Sequence, residues 1–149
     1  MVIRDFEAKD FDRVMQINDA SFDAPATRKF VLDSITDGKA WVAIEDDVIV
    51  GFLIGKMKHN TPYVNNIAVD PAYRGKGIAK LLFAKFEELF GMNQKPESTI
   101  FWLQVQSDNP AQKLYFDLGY RVGWVDPNYY GWAKHALCMY KSSRPLAQF

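Results

Sequence analysis

The sequence predicts an α+β domain built on a mixed sheet, and three observations lead to this fold class. Two β-rich runs, residues 40–45 and 48–58, flank the acidic turn Asp46-Asp47, which is the pattern of an antiparallel hairpin. A strand, a helix and another strand follow one another between residues 63 and 106, which predicts a parallel crossover. The chain has 149 residues, enough for one domain with a hydrophobic core.

The N-terminal part predicts one strand and two helices before the hairpin. Val2 to Phe6 alternates apolar and polar side chains loosely, as a strand does. Asp10 precedes an apolar helical face and is a good capping residue, so a helix is expected to begin after it. A second short helix is expected from about Thr27 to Ile35, because Gly38 follows it.

The middle of the chain contains the crossover. Tyr63 to Val69 is expected to be a strand that ends at Asp70-Pro71. A helix follows from about Lys76 to Phe90, since its leucine and phenylalanine side chains recur on one helical face. Thr99 to Gln106 is the next expected strand.

The last part adds a short helix and two strands. Pro110 is suited to the first helical position, and the helix is expected to end near Leu118 with Gly119 as its C′ residue. Strands over residues 120–125 and 134–140 complete the order βααβββαβαββ, with seven strands and four helices. We expect a single domain over residues 1–141 and a flexible tail over residues 142–149.

Composition excludes several classes of protein. Lys and Arg number 18, and Asp and Glu also number 18, so no bulk positive charge is present for nucleic-acid binding. The single cysteine, Cys138, excludes an intramolecular disulfide framework and a cysteine-cluster zinc site. Two histidines leave no recognisable ligand spacing, so no metal site is expected.

A cytoplasmic location without a membrane partner is expected. The first ten residues are rich in charge and lack the apolar region of a signal peptide. The longest nearly continuous apolar run covers residues 48–55, far short of the roughly 20 residues that a spanning helix needs. A monomer and a homodimer are both compatible with the sequence.

The residues from Arg74 to Lys80 join a strand to a helix and have the pattern of a pyrophosphate-binding turn. Gly75 and Gly77 allow the backbone to approach a ligand closely, and the N-terminus of the following helix favours an anion. Positive charge comes from three side chains, Arg74, Lys76 and Lys80. Taken alone, an ordinary basic turn has the same pattern.

Two other nucleotide motifs fail on spacing. The dinucleotide fingerprint GxGxxG, started at Gly75, meets Lys80 where it needs its last glycine. A Walker motif started at Gly51 has three residues between its glycines instead of four, and Met57 follows its lysine.

Two blocks resemble the motifs of the GCN5-related N-acetyltransferases (GNAT). The first is Arg74-x-x-Gly77-x-Ala79 after Ile67-Ala68-Val69-Asp70-Pro71, which is similar to the acetyl-coenzyme A signature of that family. The second is the run from Asn109 to Tyr120. The resemblance covers about residues 2 to 141. It implies a three-layer α/β arrangement in which a twisted, mostly antiparallel sheet contains a central parallel pair.

The resemblance also implies the co-substrate, acetyl-CoA, and its binding residues. The strand residues Ile67, Ala68 and Val69 are expected to separate from the neighbouring strand and to bind the co-substrate through their backbone. The other expected binding residues form the turn and the start of the helix: Arg74, Gly75, Lys76, Gly77, Ile78, Ala79 and Lys80. Tyr115 matches the family's general acid for the coenzyme A thiolate. Asn109 is expected to contact the pantetheine. Asp108 remains the alternative, since the second block is one residue tighter than usual.

The segment Asp126-Pro-Asn-Tyr129-Tyr130 resembles the paired-tyrosine loop of the N-terminal protein acetyltransferases, including the ribosomal-protein alanine branch. It implies direct transfer, in a ternary complex, to the α-amine of a protein or peptide N-terminus. Substrate contacts are then expected from Tyr73, Gln104, Tyr129 and Tyr130. One alternative acceptor is a small amine such as a polyamine, amino acid or antibiotic. Another class of function is a non-catalytic acetyl-CoA-binding module.

The general base is the main departure from this branch. Leu103-Gln104-Val105 stands where bacterial members carry Leu-Glu-Val, with the glutamate as base. Gln104 cannot accept a proton at physiological pH. The base is therefore another group, a water relay, or absent if the amine arrives neutral. Tyr73 and His59 are the candidate side chains.

Overall fold

The computed structural model describes residues 1–22, 25–92 and 99–142. Seven strands and four α-helices lie in these ranges, in the predicted order. Their bounds are β1 Val2–Asp5, α1 Phe11–Ser21, α2 Arg28–Asp37, β2 Lys39–Glu45, β3 Val48–Lys58, β4 Thr61–Val69, α3 Ile78–Met92, β5 Ile100–Gln106, α4 Gln112–Asp117, β6 Arg121–Asp126 and β7 Ala136–Ser142. Ser142, expected in the tail, ends β7, and the rest of that expected tail lies outside the described residues.

One seven-stranded sheet has the order β1-β2-β3-β4-β5-β7-β6. The β4–β5 pair is parallel and the other neighbouring pairs are antiparallel, which confirms the predicted mixed sheet with its parallel pair. Residues of α1 and α2 pack in one buried cluster and residues of α3 and α4 in another. The sheet therefore lies between two helical layers.

The β2–β3 hairpin follows the prediction closely. Asp46 and Asp47 both adopt left-handed backbone conformations, with φ of 51° and 64°. Two consecutive positive φ values define a type I′ turn, whose twist matches that of the flanking strands.

A β-bulge in β4 changes which side chains face each helical layer. Ile54 of β3 is opposite Asn66, and the next β3 residue, Gly55, is opposite Val64, so Asn65 is the extra residue. Tyr63 and Asn66 consequently share the face of α1 and α2, although they are three positions apart in the sequence. Without the bulge, strand alternation would place them on opposite faces.

The parallel pair is short. β4 and β5 pair only at Tyr63–Trp102 and Val64–Leu103. Beyond Val64 the two strands separate, as expected for residues 67–69. A gap therefore opens in the middle of the sheet, beside the last five residues of β4.

Asp10 does not cap α1, contrary to the prediction. Its carboxylate accepts hydrogen bonds from the Arg4 guanidinium at 2.7 and 2.9 Å and from the Glu7 N–H at 2.8 Å. Asp10 and Glu7 thereby form a capping box for the 3₁₀ turn Ala8–Asp10, which leads directly into α1.

The start of α4 also differs from the prediction, whereas its end agrees. The N–H groups of Gln112 and Lys113 bond to carbonyls three residues back, so a 3₁₀-like turn precedes the α-helix that Pro110 was expected to open. At the other end Gly119 has φ of 101° and its N–H bonds to the Phe116 carbonyl. Together with the Tyr120 to Tyr115 bond, this is a Schellman motif with Gly119 at C′.

Candidate active site

The turn between β4 and α3 is an exposed, positively charged loop. Gly75 and Gly77 have φ of 82° and 78°, and a Cβ added at either position would meet nothing within 4 Å. Their conformation favours glycine, and open space lies beside the backbone. The helix begins at Ile78, and Leu81 N–H bonds to the Gly77 carbonyl at 3.3 Å. The N–H groups before Leu81 have no partner within the helix and are available to an anion.

Arg74 connects this loop to the rest of the fold. Its Nε donates to the Val69 carbonyl at 3.1 Å, and its Nη2 donates to Ser21 Oγ at 3.4 Å. Asp70 holds the start of the loop, because its carboxylate accepts from the Ala72 N–H at 2.9 Å and from Arg13 at 2.6 Å. These two contacts hold the pKa of Asp70 below its usual range, the backbone N–H being the larger cause.

The gap between β4 and β5 continues from this loop. Ala68 is buried against the α1 and α2 layer, and Ile67 and Val69 pack against the opposite core. Their side chains are thus fixed on the two faces of the sheet. The edge of β4 that faces β5 has no ladder partner beyond Val64. An extended ligand can therefore bind in the gap by hydrogen bonds to backbone.

Tyr115 lies on α4 and belongs to the core on the α3 side. It is 8% exposed, and its ring is 5.8 Å from that of Phe83. Burial, with a smaller contribution from Tyr130, raises the pKa of Tyr115 to about 12. Tyr115 is therefore protonated at neutral pH.

A cavity of about 380 Å³ opens on the other face of the sheet. Its walls come from three parts of the chain. The lining residues are Asn18, Phe22, Ala26 and Phe30 from α1, α2 and their connection; Lys56, Lys58, Tyr63, Asn65, Asn66 and Gln104 from the sheet; and Tyr129 and Tyr130 from the β6–β7 loop.

Gln104 lies in this cavity and is held by hydrogen bonds on both sides of its amide. Its Oε1 accepts from the Tyr63 hydroxyl at 3.3 Å, and its Nε2 donates to Cys138 Sγ at 3.5 Å. Burial is the main reason that the pKa of Tyr63 lies far above its ordinary value. Residue 104 is therefore a neutral, ordered amide.

The tyrosine pair forms the wall opposite α1 and α2. The rings of Tyr129 and Tyr130 are 5.0 Å apart and nearly perpendicular, at 85°. The loop is closed internally, since the Asn128 N–H donates to His135 Nδ1 at 2.9 Å and Tyr130 N–H donates to the Lys134 carbonyl at 3.0 Å. His135 thus holds the loop in place. Burial is the main cause that raises the pKa of Tyr130 to about 12.

Other predicted residues lie outside the cavity. Tyr73 is on the 3₁₀ turn before the glycine loop, where the Lys76 ammonium is 5.2 Å from its ring centre. His59 is exposed in the β3–β4 turn and stacks on Trp102, with ring centres 6.1 Å apart. Asn109 uses its Oδ1 to accept from the Ala111 N–H at 2.9 Å, so this oxygen orders its own loop. Asp108 is exposed on the same loop.

Several cavity residues were not predicted from sequence. Asn18 is fully buried, donates to the Ala26 carbonyl at 3.0 Å and accepts from Asn66 at 3.1 Å. These contacts join α1, the end of the α1–α2 connection and β4. The available signal was two consecutive amides, Asn65-Asn66, inside an otherwise apolar strand. Lys58 and Tyr63 carried no comparable signal.

Neither a metal cluster nor a membrane-spanning helix lies in the part of the chain that the structure describes. Within residues 1–22, 25–92 and 99–142, no group of three or more His, Cys, Asp and Glu side chains is placed to hold a metal ion. None of the helices in these ranges combines the length and hydropathy of a membrane-spanning segment.

Comparison with known proteins identifies the family. The acetyltransferase (GNAT) domain matches residues 36–122. The chain belongs to the GNAT acetyltransferases. It is 31% identical over 132 residues to the [ribosomal protein bS18]-alanine N-acetyltransferase of Haemophilus influenzae, covering 87% of this chain and 87% of that protein. This GNAT chain is thus an acetyl-CoA-dependent N-acetyltransferase.

Solved GNAT structures share the fold but have different named acceptors. The ribosomal-protein-S18-alanine N-acetyltransferase of Escherichia coli superimposes with a TM-score of 0.83 at 21% identity, over 97% of this chain and 94% of that one. The aminoglycoside 6′-N-acetyltransferase of Enterococcus faecium gives a TM-score of 0.79 at 18% identity, over 97% and 98%. At these identities the likeness establishes the fold, and the acceptor must be argued from the cavity.

Proposed function

We propose that this GNAT enzyme acetylates the α-amine of a protein or peptide N-terminus by direct transfer from acetyl-CoA. The observation that carries the proposal is the position of the Tyr129–Tyr130 loop. Both tyrosines line the cavity opposite the α1–α2 connection, instead of folding away from it. A cleft with two such walls suits an extended chain end that enters from the surface. The relatives named as ribosomal-protein alanine N-acetyltransferases support a protein acceptor.

The residues of this chain fit acetyl-CoA, which supplies the acetyl group and the leaving thiolate when bound. Space beside Gly75 and Gly77 is open, and Arg74, Lys76 and Lys80 supply positive charge for the pyrophosphate. In this proposal the unpaired edge of Ile67–Val69 binds the pantetheine arm. Asn109 is the proposed pantetheine contact on the α4 side, through the part of its amide that does not order the loop.

Tyr115 is the proposed hydrogen-bond donor to the leaving thiolate. A pKa of about 12 keeps its hydroxyl protonated at neutral pH. An ordinary thiol has a pKa of about 8.5, so complete transfer of the tyrosine proton to a thiolate is unfavourable by about 5 kcal/mol. Tyr115 therefore stabilises the developing sulfur charge mainly by hydrogen bonding, and the proton released by the acceptor amine completes the balance.

The absence of a carboxylate at Gln104 favours an α-amine over a lysine side chain. With a pKa of about 8, roughly a tenth of α-amines are neutral at pH 7, whereas a lysine with pKa about 10.4 is neutral in about 0.04% of molecules. A site without a general base has to select the neutral amine from solution. This protonation difference alone gives a preference for α-amines of a few hundredfold.

A matched pair of peptides tests the proposal. One carries a free N-terminus and no lysine; the other has a blocked N-terminus and one internal lysine. Thiol release with acetyl-CoA is expected for the first peptide alone, with mass spectrometry locating the acetyl group on the α-nitrogen. Polyamines, free amino acids and an aminoglycoside form the parallel panel. Turnover of one of these amines without peptide turnover would replace the proposed acceptor.

A further inference from the structure

The cavity contains two lysines on one edge of its floor. Lys56 and Lys58 are alternate residues of β3, so their side chains lie on the same face of the sheet. Lys56 is directly opposite Tyr63, and Lys58 is opposite Thr61. Both lysines line the cavity, at the end away from the glycine loop.

Among the residues that the structure describes, no acidic side chain compensates the charge of these lysines. The described lining of the cavity includes both of them and no Asp or Glu. Within the described ranges, neither lysine forms an ion pair. The Lys58 ammonium lies over two rings instead, 4.5 Å from the centre of Tyr63 and 5.4 Å from that of Trp102. Partial burial, and then the charge of Lys56, lowers the pKa of Lys58.

A further hydrogen-bond donor lies in the same cavity. The side-chain nitrogen of Asn65 is buried and has no hydrogen-bond partner in the described part of the chain. Asn65 is the bulge residue of β4, at the point where the gap begins. An acceptor group that enters the cavity can satisfy this donor, as well as the two ammonium groups.

The spacing relates the lysines to an extended peptide. The β4–β5 gap begins after Val64, and Lys58 is level with Thr61, three residues earlier. At about 3.3 Å per residue this is about 10 Å along the strand. An extended peptide advances by a similar distance per residue, so an amine at the gap brings the second and third side chains within reach of the lysine ammonium groups.

We propose that the preferred acceptor is an N-terminus with an acidic side chain at its second or third residue. This inference rests on the proposed N-terminal acetylation and adds the substrate class. An Asp or Glu carboxylate neutralises the two cations where water is partly excluded, whereas an Arg or Lys at the same position is repelled. The same charge pattern disfavours polycationic acceptors such as polyamines and aminoglycosides.

The test compares peptides that differ at one residue. Ala-Asp, Ala-Asn and Ala-Arg peptides with otherwise identical neutral sequences are assayed for kcat/KM, and the series is repeated with the substitution at the third residue. We expect the Asp peptide to exceed the Asn peptide by about tenfold in at least one series, and the Arg peptide to be the poorest. The preference is expected to weaken at high salt.

Variants connect the preference to the lysines. Lys58→Gln and Lys56→Gln should each reduce the ratio of Asp to Asn peptides, and Lys58→Arg should keep it. Lys58→Glu should reverse the order of the Asp and Arg peptides. Lys85→Gln removes an equal charge from an exposed part of α3 outside the cavity and should leave the ratio unchanged. The ratio is measured within one variant, so partial loss of folded enzyme does not affect it.

The outcomes separate the two proposals. Peptides acetylated without preference for Asp, or with preference for Arg, would overturn this inference and leave N-terminal acetylation standing. An Asp preference that survives in both Lys58→Gln and Lys56→Gln would also overturn this inference and leave N-terminal acetylation standing. A lack of turnover with every free N-terminus, together with turnover of a small amine, would overturn both.

Discussion

The hydroxyl of Tyr63 donates a hydrogen bond to the side-chain oxygen of Gln104 at 3.3 Å, where the parallel strands β4 and β5 meet. These strands pair for only two residues, at Tyr63 and Val64, before they separate. The hydrogen bond therefore lies at the point where the cavity on one face of the sheet reaches the gap. At this junction Gln104 is held as a hydrogen-bond acceptor, and its amide cannot take up a proton at physiological pH.

The Gln104→Glu substitution tests how the acceptor loses its proton. In the unmodified enzyme we expect kcat/KM for an N-terminal peptide to rise with pH up to the pKa of the amine, about 8. A carboxylate at residue 104 would accept the proton and raise kcat/KM at pH 6 to 7 by up to about tenfold, so that the profile becomes flatter. Steady-state kinetics from pH 6 to 9 measure the pH dependence of kcat/KM.

Gln104→Met is the control without a base, and it should keep the steep profile. Identical profiles for the glutamate variant and the unmodified enzyme would contradict a base-free site.

The Tyr115→Phe substitution tests the proposed hydrogen bond from Tyr115 to the leaving thiolate. The ring is packed against Phe83, and phenylalanine keeps that packing while removing the hydroxyl. We expect kcat to fall by roughly 100-fold or less, with little change in acetyl-CoA affinity measured by calorimetry. Tyr120→Phe is a matched control, since Tyr120 is also buried and packs on the same Phe83 ring, whereas its hydroxyl bonds to Glu87. Equal kcat values for Tyr115→Phe and the unmodified enzyme would show that the Tyr115 hydroxyl does not act in acetyl transfer.

The sequence predicted the fold more completely than the acceptor site. Alternating and helical patterns identified each element, and the acidic turn at Asp46 was predicted correctly, because these features depend on neighbouring residues. The bulge at Asn65 depends on pairing with β3, so local periodicity did not identify it. The bulge places Asn66 on the sheet face that Asn18 contacts. Asn18 and Asn66, to which the sequence assigned no role, therefore line the same cavity. Asp10 was assigned to the wrong cap because its partner Arg4 precedes the helix pattern altogether.

The Gly77→Asp substitution tests the pyrophosphate site. A carboxylate next to the helix N-terminus would repel the phosphates, so we expect acetyl-CoA to lose its effect on the thermal unfolding midpoint. Gly77 has a φ of 78°, and a side chain there is strained whatever its charge. Gly77→Asn separates these causes, since asparagine tolerates this conformation and is neutral. The Asn variant should retain stabilisation by acetyl-CoA. If the Asp variant is stabilised as strongly as the Asn variant, the co-substrate binds elsewhere.

The partly buried ion pair of Arg4 and Asp10 predicts how stability depends on pH. Asp10 is 3% exposed, and the Arg4 guanidinium is the largest cause that holds its pKa below the ordinary value. A carboxyl group whose folded pKa is lowered adds stability above its unfolded pKa, about 3.9, and this contribution is lost as the pH falls through the folded pKa. We expect Asp10→Asn to lower the free energy of unfolding by about 2 kcal/mol at pH 7. The difference should shrink below pH 4, when urea denaturation is followed from pH 7 to pH 2.

Asp5→Asn is the control, because Asp5 is exposed and pairs with Lys39 at the surface, where an ion pair contributes at most about 1 kcal/mol. A difference between Asp10→Asn and the unmodified chain that stays constant down to pH 2 would show that packing, not charge, makes Asp10 important.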